Sequence, residues 1–243
     1  MIIMKIQTDD VLGTIPEPEV FESLLKLDNA DILELGCGDA ALTRIIATNG
    51  TERRIMALEV DTIQHDKNCN IDDLPQIDFK LAGGEDIPAA DNHFDVVFMF
   101  KSLHHIPVDK MPQALSEIKR VLKPGGLAYI SEPVFSGDFN EVLRLFHDEQ
   151  FVRQAAFNAL KASVDNNIFE LVEERFFNTP VHFDNFSQFE QKVIGATHSE
   201  HCLSNELLNS VQNKFEQMTQ VNSGDFLIPI RVDLLKKPIP DQT

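Results

Sequence analysis

Basic residues are scarce in this chain. Its 243 residues include 21 Lys and Arg against 39 Asp and Glu, a formal net charge of −18 at pH 7. The acids are spread over most of the length, and there is no dense basic run; Arg53-Arg54 and Lys236-Lys237 are isolated pairs. Such a surface repels phosphate backbones and anionic lipid, so neither nucleic acid nor membrane is an expected partner. Cysteine is also sparse: Cys37, Cys69 and Cys202 are odd in number and far apart, which fits reduced thiols in a cytoplasm rather than a disulfide framework. No apolar run reaches the roughly 20 residues of a spanning helix, and Met1 to Ile6 is too short for a secretory leader. Internal repeats and low-complexity linkers are missing too. The expectation is a soluble, cytoplasmic chain folding as a single domain over 1–243, with nothing to set its oligomeric state.

What is present suits a buried α/β core. A hydrophobic content of 43% lets a chain of this length bury one large core, or one core and a small cap. Pro16-Glu-Pro-Glu-Val20 opens a helix whose apolar face is Val20, Phe21, Leu24 and Leu25, with its end expected at Asp28-Asn29. Apolar runs at 31–35, 54–58, 77–81, 94–100 and 127–130 read as strands. Helical spacing falls at 40–49 and at Met111, Leu115, Ile118 and Leu122, the latter helix stopped by Lys123-Pro-Gly-Gly126. The polar stretch 62–76 reads as irregular helix and loop. Near-continuous apolar strands alternating with helices predict an α/β protein with a doubly wound, mostly parallel sheet. After Glu132-Pro133 the pattern changes. A long helical region covers 140–164, a strand with a potential break at Pro180 covers 171–183, and helices follow near Phe186 and from Leu207 to Met218. A last strand spans 226–235, with Pro229 expected near one end because it cannot donate a ladder bond.

The chain is organised around Asp31-Ile-Leu-Glu-Leu-Gly-Cys-Gly-Asp39. A buried strand, a tight Gly36-Cys37-Gly38 turn and an amphipathic helix place bare backbone N–H groups where the polar end of a ligand can reach. Gly36 to Ala41 fits the dinucleotide fingerprint G-x-G-x-x-G/A, and Glu59 lies at the spacing of an acid that grips a ribose diol. These residues alone leave two nucleotide-like cofactor classes open.

Six segments taken together resemble one family. They are Ile-Leu-Glu-Leu-Gly-Cys-Gly at 32–38, Ala-Leu-Glu-Val-Asp at 57–61 and Gly-Gly-Glu-Asp-Ile-Pro at 83–88. Asp-Asn-His-Phe-Asp-Val-Val at 91–97, Ser-Leu-His-His-Ile at 102–106 and Glu-Ile-Lys-Arg-Val-Leu-Lys-Pro-Gly-Gly at 117–126 complete the set. In this order they resemble the class I S-adenosylmethionine-dependent methyltransferases, in particular the broad group acting on small molecules and quinone precursors. The resemblance runs from about Asp31 to Ser131. It implies a seven-stranded Rossmann-like sheet, with a cofactor-binding core at about 17–133. Lid helices and an antiparallel closing pair of strands would occupy about 134–237, and the N-terminal helix would join the lid. The Phe-rich C-terminal part reads mainly as the core of that lid.

The resemblance also assigns expected roles. The backbone at Gly36, Cys37 and Gly38 would approach the methionine part of S-adenosyl-L-methionine, and Glu34 would reach its ammonium. Glu59 would take the ribose hydroxyls, Val60 would pack on adenine, and Gly84 and Glu85 would lie at the adenine's amino edge. Phe100 would sit beside the methionine arm. Ala40 stands in the slot of the frequent third glycine, where a methyl is expected to be tolerated. The implied reaction is in-line attack on the sulfonium methyl by a small-molecule acceptor. It needs no triad, so no catalytic residue is assigned. Lys101, His104 and His105, just after the fourth strand, are substrate-pocket candidates. No metal is expected, since His198-Ser-Glu-His201-Cys202 lacks a second ligand cluster. Two rival readings are a nicotinamide-dependent (NAD-type) oxidoreductase and a cofactor-binding regulatory module without turnover.

Overall fold

In the computed structural model, which describes residues 4–195 and 203–240, the run Asp31–Leu35 forms β1 near the middle of a seven-stranded sheet. The other strands are β2 (Arg54–Glu59), β3 (Ile77–Leu81), β4 (Phe94–Phe100), β5 (Leu122–Pro133), β6 (Glu170–His182) and β7 (Asp225–Lys236). Their order is β3-β2-β1-β4-β5-β7-β6. The first five strands are parallel, and β7 runs antiparallel between β5 and β6. The chain winds outward from β1 to β3, then returns to place β4 on the other side of β1. That reversal opens a crevice at the carboxyl ends of β1 and β4, where doubly wound sheets take their ligands.

Alternate strand residues face two helical layers. Leu33, Leu35, Val97, Met99 and Ile130 are buried with α4 (Met111–Val121) and α6 (Gln150–Asp165). Ile32, Ala57, Val96, Phe98, Phe100 and Tyr129 are buried with α1 (Glu17–Leu24) and α2 (Ala41–Thr48). Burial on both faces accounts for the near-continuous apolar strands read from the sequence. The predicted 62–76 segment contains one regular helix, α3 (Thr62–Asn68), capped by the Asp61 carboxylate.

A third cluster gathers α5 (Asp138–Leu143), α7 (Phe186–Phe189), the π turn Glu190–Ile194 and α8 (Asn205–Asn222) around Phe183, Phe189, Phe215 and Phe226. Phe189 and Phe215 lie 5.1 Å apart by ring centroids, and Phe183 and Phe189 5.3 Å apart edge to face. The cap built on this cluster is smaller than the lid expected from the sequence. Phe21 of α1 packs 5.3 Å from Phe98, and Ala156, Phe157 and Leu160 of α6 pack on the sheet, so both helices are structural layers. Of the Phe-rich set, Phe151 is 73% exposed and contributes to no core.

Several boundaries also differ. α1 stops at Leu24, before Asp28-Asn29, because the extended chain beyond it buries Leu25, Leu27 and Ala30. Lys123-Pro-Gly-Gly126 lies inside β5 rather than ahead of it, with an irregularity opposite Phe94 and Val96. A Cβ on Gly126 would stand 2.9 Å from the Lys123 carbonyl oxygen and 3.0 Å from that of Asp95, so the backbones can approach only at glycine. Pro180 does not break β6, the edge strand of the sheet, whose outer side bonds the segment 12–15 at Phe176 and Asn178, short of the proline. Pro229 lies within β7 instead of at its end, one residue beyond the Pro133↔Ile230 limit of the pairing with β5. Among the described residues no helix is long and apolar enough to cross a membrane.

Candidate active site at the carboxyl edge of the sheet

The turn after β1 is tied to β2 before any ligand is considered. Gly36 N–H and Cys37 N–H both donate to the Leu58 carbonyl at 2.9 Å. Gly36 (φ 73°) and Gly38 (φ 54°) lie in the left-handed region, where a side chain is strained. Their reasons for being glycine differ. A Cβ on Gly36 would fall 2.8 Å from Ser102 Cβ, whereas one on Gly38 would meet nothing within 4 Å. Gly36 is thus required by packing against the segment after β4, while Gly38 faces open space. Ala40 is left-handed too (φ 61°) and buried. Its backbone therefore carries strain that a glycine would lack, so the methyl expected to be tolerated there is accommodated at a cost.

Glu59 does more than end a strand. Its Oε2 accepts Gly38 N–H at 2.8 Å, and its Oε1 accepts Val60 N–H at 2.8 Å and Asp61 N–H at 2.9 Å. A carboxylate offers about four lone-pair positions, so room remains on Oε2 for a ligand hydroxyl. Asn68, buried on α3, completes the clamp: its Nδ2 donates to the Gly38 carbonyl at 2.7 Å and Gln64 holds its Oδ1 at 2.8 Å. Sequence reading missed Asn68, whose only signal was a polar residue in a stretch taken as irregular. Cys37 is buried between Glu34 and Glu59, and burial with these charges pushes its thiol well above the ordinary range, so it remains protonated.

The opposite wall is acidic. Glu34 is 2% exposed, and its Oε2 has no hydrogen-bond partner among the described residues. Burial raises its pKa to about 8, opposed by the neighbouring Thr43 hydroxyl, with Asp39 and Glu17 adding to the rise. Glu17, itself buried, binds Lys101 Nζ through Oε2 at 2.5 Å and leaves Oε1 without a partner among the described residues. Lys101, in the left-handed region at φ 54°, therefore turns toward these carboxylates. Glu17 also escaped the sequence reading, where it counted only as a helix-opening acid.

The remaining predicted positions spread around this crevice. Val60 is 67% exposed. Gly84 is buried, with Ile106, Leu35 and Ala114 around the place of a Cβ. Glu85 folds back so that its Oε2 lies 2.5 Å from where a Cβ on Gly83 would be. Phe100 stacks on Phe98 with ring centroids 4.9 Å apart.

His104 departs most from expectation. It is buried rather than at a rim, with Nδ1 2.5 Å from Glu132 Oε2 and Nε2 3.4 Å from Glu149 Oε1. Glu132 Oε1 also accepts Leu103 N–H at 3.0 Å and His104 N–H at 3.4 Å. Burial opposes a charge on His104, but Glu132 and Glu149 outweigh it and raise the pKa to about 9. The ring is a charged partner of two carboxylates, not a free base. Arg153 holds Glu149 Oε2 at 2.5 Å and His147 Nε2 lies 3.0 Å from Glu149 Oε1. His105 is exposed, with its ring centroid 4.1 Å from that of His104. Beside this network a cavity of about 250 Å³ is lined by Glu132, Val134, Phe135, Gln150, Arg153 and Arg231, among others. The motif at 198–202 lies outside the described residues.

Fold and crevice define a doubly wound α/β protein shaped for a nucleoside-like ligand at its switch point. A methyltransferase domain model matches residues 33–130. A protein of Mycolicibacterium smegmatis described as an S-adenosylmethionine-dependent methyltransferase is 31% identical over 125 residues, covering 49% of this chain and 46% of that protein. The O-methyltransferase rstn1 of Aspergillus nomiae is 30% identical over 164 residues, covering 64% of this chain and 71% of that protein. The chain thus spans about half the length of the first relative and over two thirds of the second. In fold, a crystal structure from Bacillus halodurans C-125 titled as a methyltransferase superposes with a TM-score of 0.62 at 16% identity, covering 91% of this chain and 99% of that one. The chain belongs to the class I S-adenosylmethionine-dependent methyltransferase family. S-adenosyl-L-methionine is the methyl donor of that family.

Proposed function

We propose that this protein transfers a methyl group from S-adenosyl-L-methionine to a small-molecule acceptor. The observation that carries the reading is the pairing of a buried Glu34 oxygen, without a hydrogen-bond partner among the described residues, with the open space at Gly38, whose N–H Glu59 holds. Desolvating a carboxylate without a partner is costly, and a ligand ammonium would offset that cost. The cofactor, when bound, supplies a methyl group already activated on a sulfonium.

The work left to the chain is binding, orientation and exclusion of water. Glu34, with Glu17 behind it, would hold the ammonium end. The Gly36-Cys37-Gly38 backbone would let the amino-acid portion approach where side chains would collide. Glu59 would accept a ribose hydroxyl through the free position on Oε2 while continuing to hold Gly38 N–H. Val60 would cover the adenine from the solvent side, with Gly84 and Glu85 at its edge and Phe100 beside the methionine arm. Lys101 is committed to Glu17 and acts on the cradle rather than on the acceptor. His104, doubly paired, orders the turn after β4, and His105 lies exposed beside it. The cavity of about 250 Å³ suits a small acceptor, and the acidic surface disfavours a polyanionic one. An O-methyltransferase among the relatives supports the small-molecule reading.

Calorimetric titration with S-adenosylmethionine, its demethylated product and reduced nicotinamide cofactor tests the assignment. Binding of the first two with no heat from the third is the expected result. Tight nicotinamide binding without response to the sulfonium ligand would overturn it. Binding with no methyl transfer across a panel of hydroxyl, amine, thiol and carbon acceptors would favour a regulatory module instead.

A further inference from the structure

We infer that His104, His105 and Glu149 form a binding site for a first-row divalent transition-metal ion, with His147 placed to add a fourth ligand. One donor atom from each of the first three lies within 4.8 Å of the other two, although the residues come from the turn after β4 and the start of α6. No spacing motif joins positions 104, 105 and 149, which is why the sequence pointed to no metal.

The distances suit the chemistry. Ligand atoms about 2.0–2.1 Å from a tetrahedral metal stand roughly 3.3 Å from one another. His104 Nε2 and Glu149 Oε1 are 3.4 Å apart, and His147 Nε2 is 3.0 Å from the same oxygen. The surroundings are also those of a built site. Glu132 Oε2 holds His104 Nδ1 at 2.5 Å, so its Nε2 is the nitrogen turned to the cluster, the carboxylate–imidazole–metal arrangement that orients a ligating histidine. Arg153 occupies Glu149 Oε2 at 2.5 Å, so Oε1 is the oxygen turned toward the imidazoles. Imidazole nitrogens with one carboxylate oxygen favour zinc, cobalt, nickel or iron(II) over magnesium or calcium. The bound ion would take the place of the proton between His104 and Glu149 and tie the turn after β4 to α6. It shares no residue with the glycine cradle, and the proposed methyl transfer is not needed for it.

Titration of the full-length, chelator-treated protein with cobalt(II), zinc and nickel tests this, read by calorimetric stoichiometry and by the visible d–d bands of cobalt. One equivalent is expected to bind, with affinity lowered at least about tenfold in His105→Ala. His105 is exposed, so its removal leaves the core intact. His147→Ala serves as a second variant, with a smaller loss of affinity expected and circular dichroism confirming the fold of both. His198→Ala/His201→Ala is expected to bind cobalt unchanged. Absence of one-equivalent binding by all three ions, binding unaltered in His105→Ala, or binding abolished by the His198/His201 double variant would each overturn the inference.

Discussion

At the glycine turn, backbone groups do most of the holding: the N–H groups of Gly38, Val60 and Asp61 converge on one carboxylate, and Leu58 C=O receives two more. At His104, side chains do it: Glu132, Glu149 and Arg153 form a buried chain of charges drawn from β5, the segment before α6, and α6 itself, with the half-buried His147 against Glu149. The first arrangement depends on local conformation, so it leaves a signature of glycines and an acid at short spacing. The second depends on which strand and helix meet, and any adjacent pair of histidines looks the same before folding. Among the described residues the cradle keeps acceptors without partners, Glu34 Oε2 and Glu17 Oε1, where a ligand is expected. In the histidine network each carboxylate is already engaged.

Breaking each half should therefore give a different readout. The largest effect is expected from Glu132→Ala, which leaves a buried imidazolium short of a partner and should destabilise the fold by about 3–5 kcal/mol. Urea denaturation would measure it, and an unchanged midpoint would show that the network does not hold the fold. Next comes Glu59→Ala, which removes the acceptor of three backbone N–H groups as well as the proposed ribose contact. S-adenosylmethionine affinity should fall by about 10- to 100-fold, roughly 1.4–2.7 kcal/mol, with a smaller change in stability. Equal affinity in calorimetry would remove Glu59 from the site.

Glu34 gives a pH test. Its folded-state pKa of about 8 lies above the ordinary 4.5, so between these values the folded protein holds a proton that the unfolded chain has lost. Stability of the ligand-free protein should fall as pH rises through that window, and Glu34→Gln should flatten this part of the profile. Because a ligand ammonium favours the ionised carboxylate, S-adenosylmethionine binding at pH 7 should release close to one proton from Glu34. Calorimetry in buffers of different ionisation enthalpy would detect it, and no difference between wild type and Glu34→Gln would refute the assignment. The smallest effect is at Ala40, where Ala40→Gly should relieve left-handed strain and stabilise the protein by about 0.5–1 kcal/mol in the same denaturation assay.

The predicted strands through β4 match the observed ones closely, because burial on both faces makes each an apolar run bounded by polar turns. The count of seven strands and the antiparallel closing pair followed from the family resemblance rather than from periodicity, and the strand order emerged only in the fold. Errors fell where tertiary contact overrules local preference. Lys123-Pro-Gly-Gly126 carries stop signals, yet β4 lies close enough to draw it into β5. Pro180 survives in an edge strand because the outer pairing with residues 12–15 falls at Phe176 and Asn178, short of the proline. α1 and α6 resemble lid helices in pattern, but Phe21 and Phe157 find the sheet. In the candidate site, Gly36, Gly38 and Glu59 were readable from spacing and Glu34 from the family resemblance, whereas Glu17, Asn68, Glu132 and Glu149 were not. Each of the latter acts through a partner distant in the chain: Glu17 and Lys101 are 84 residues apart, and Asn68 and Gly38 are 30 apart.

By itself, then, the order of residues determined the alternation of strand and helix, the glycine turn and the acid that answers it, since these rest on dihedral preference and on burial of adjacent side chains. Only the tertiary structure decided that Lys101 serves Glu17, that His104 is a buried, doubly paired cation, and that three histidines gather around Glu149. Those outcomes depend on charges desolvated together, and a charge has no preferred partner until the fold removes the water that would otherwise solvate it.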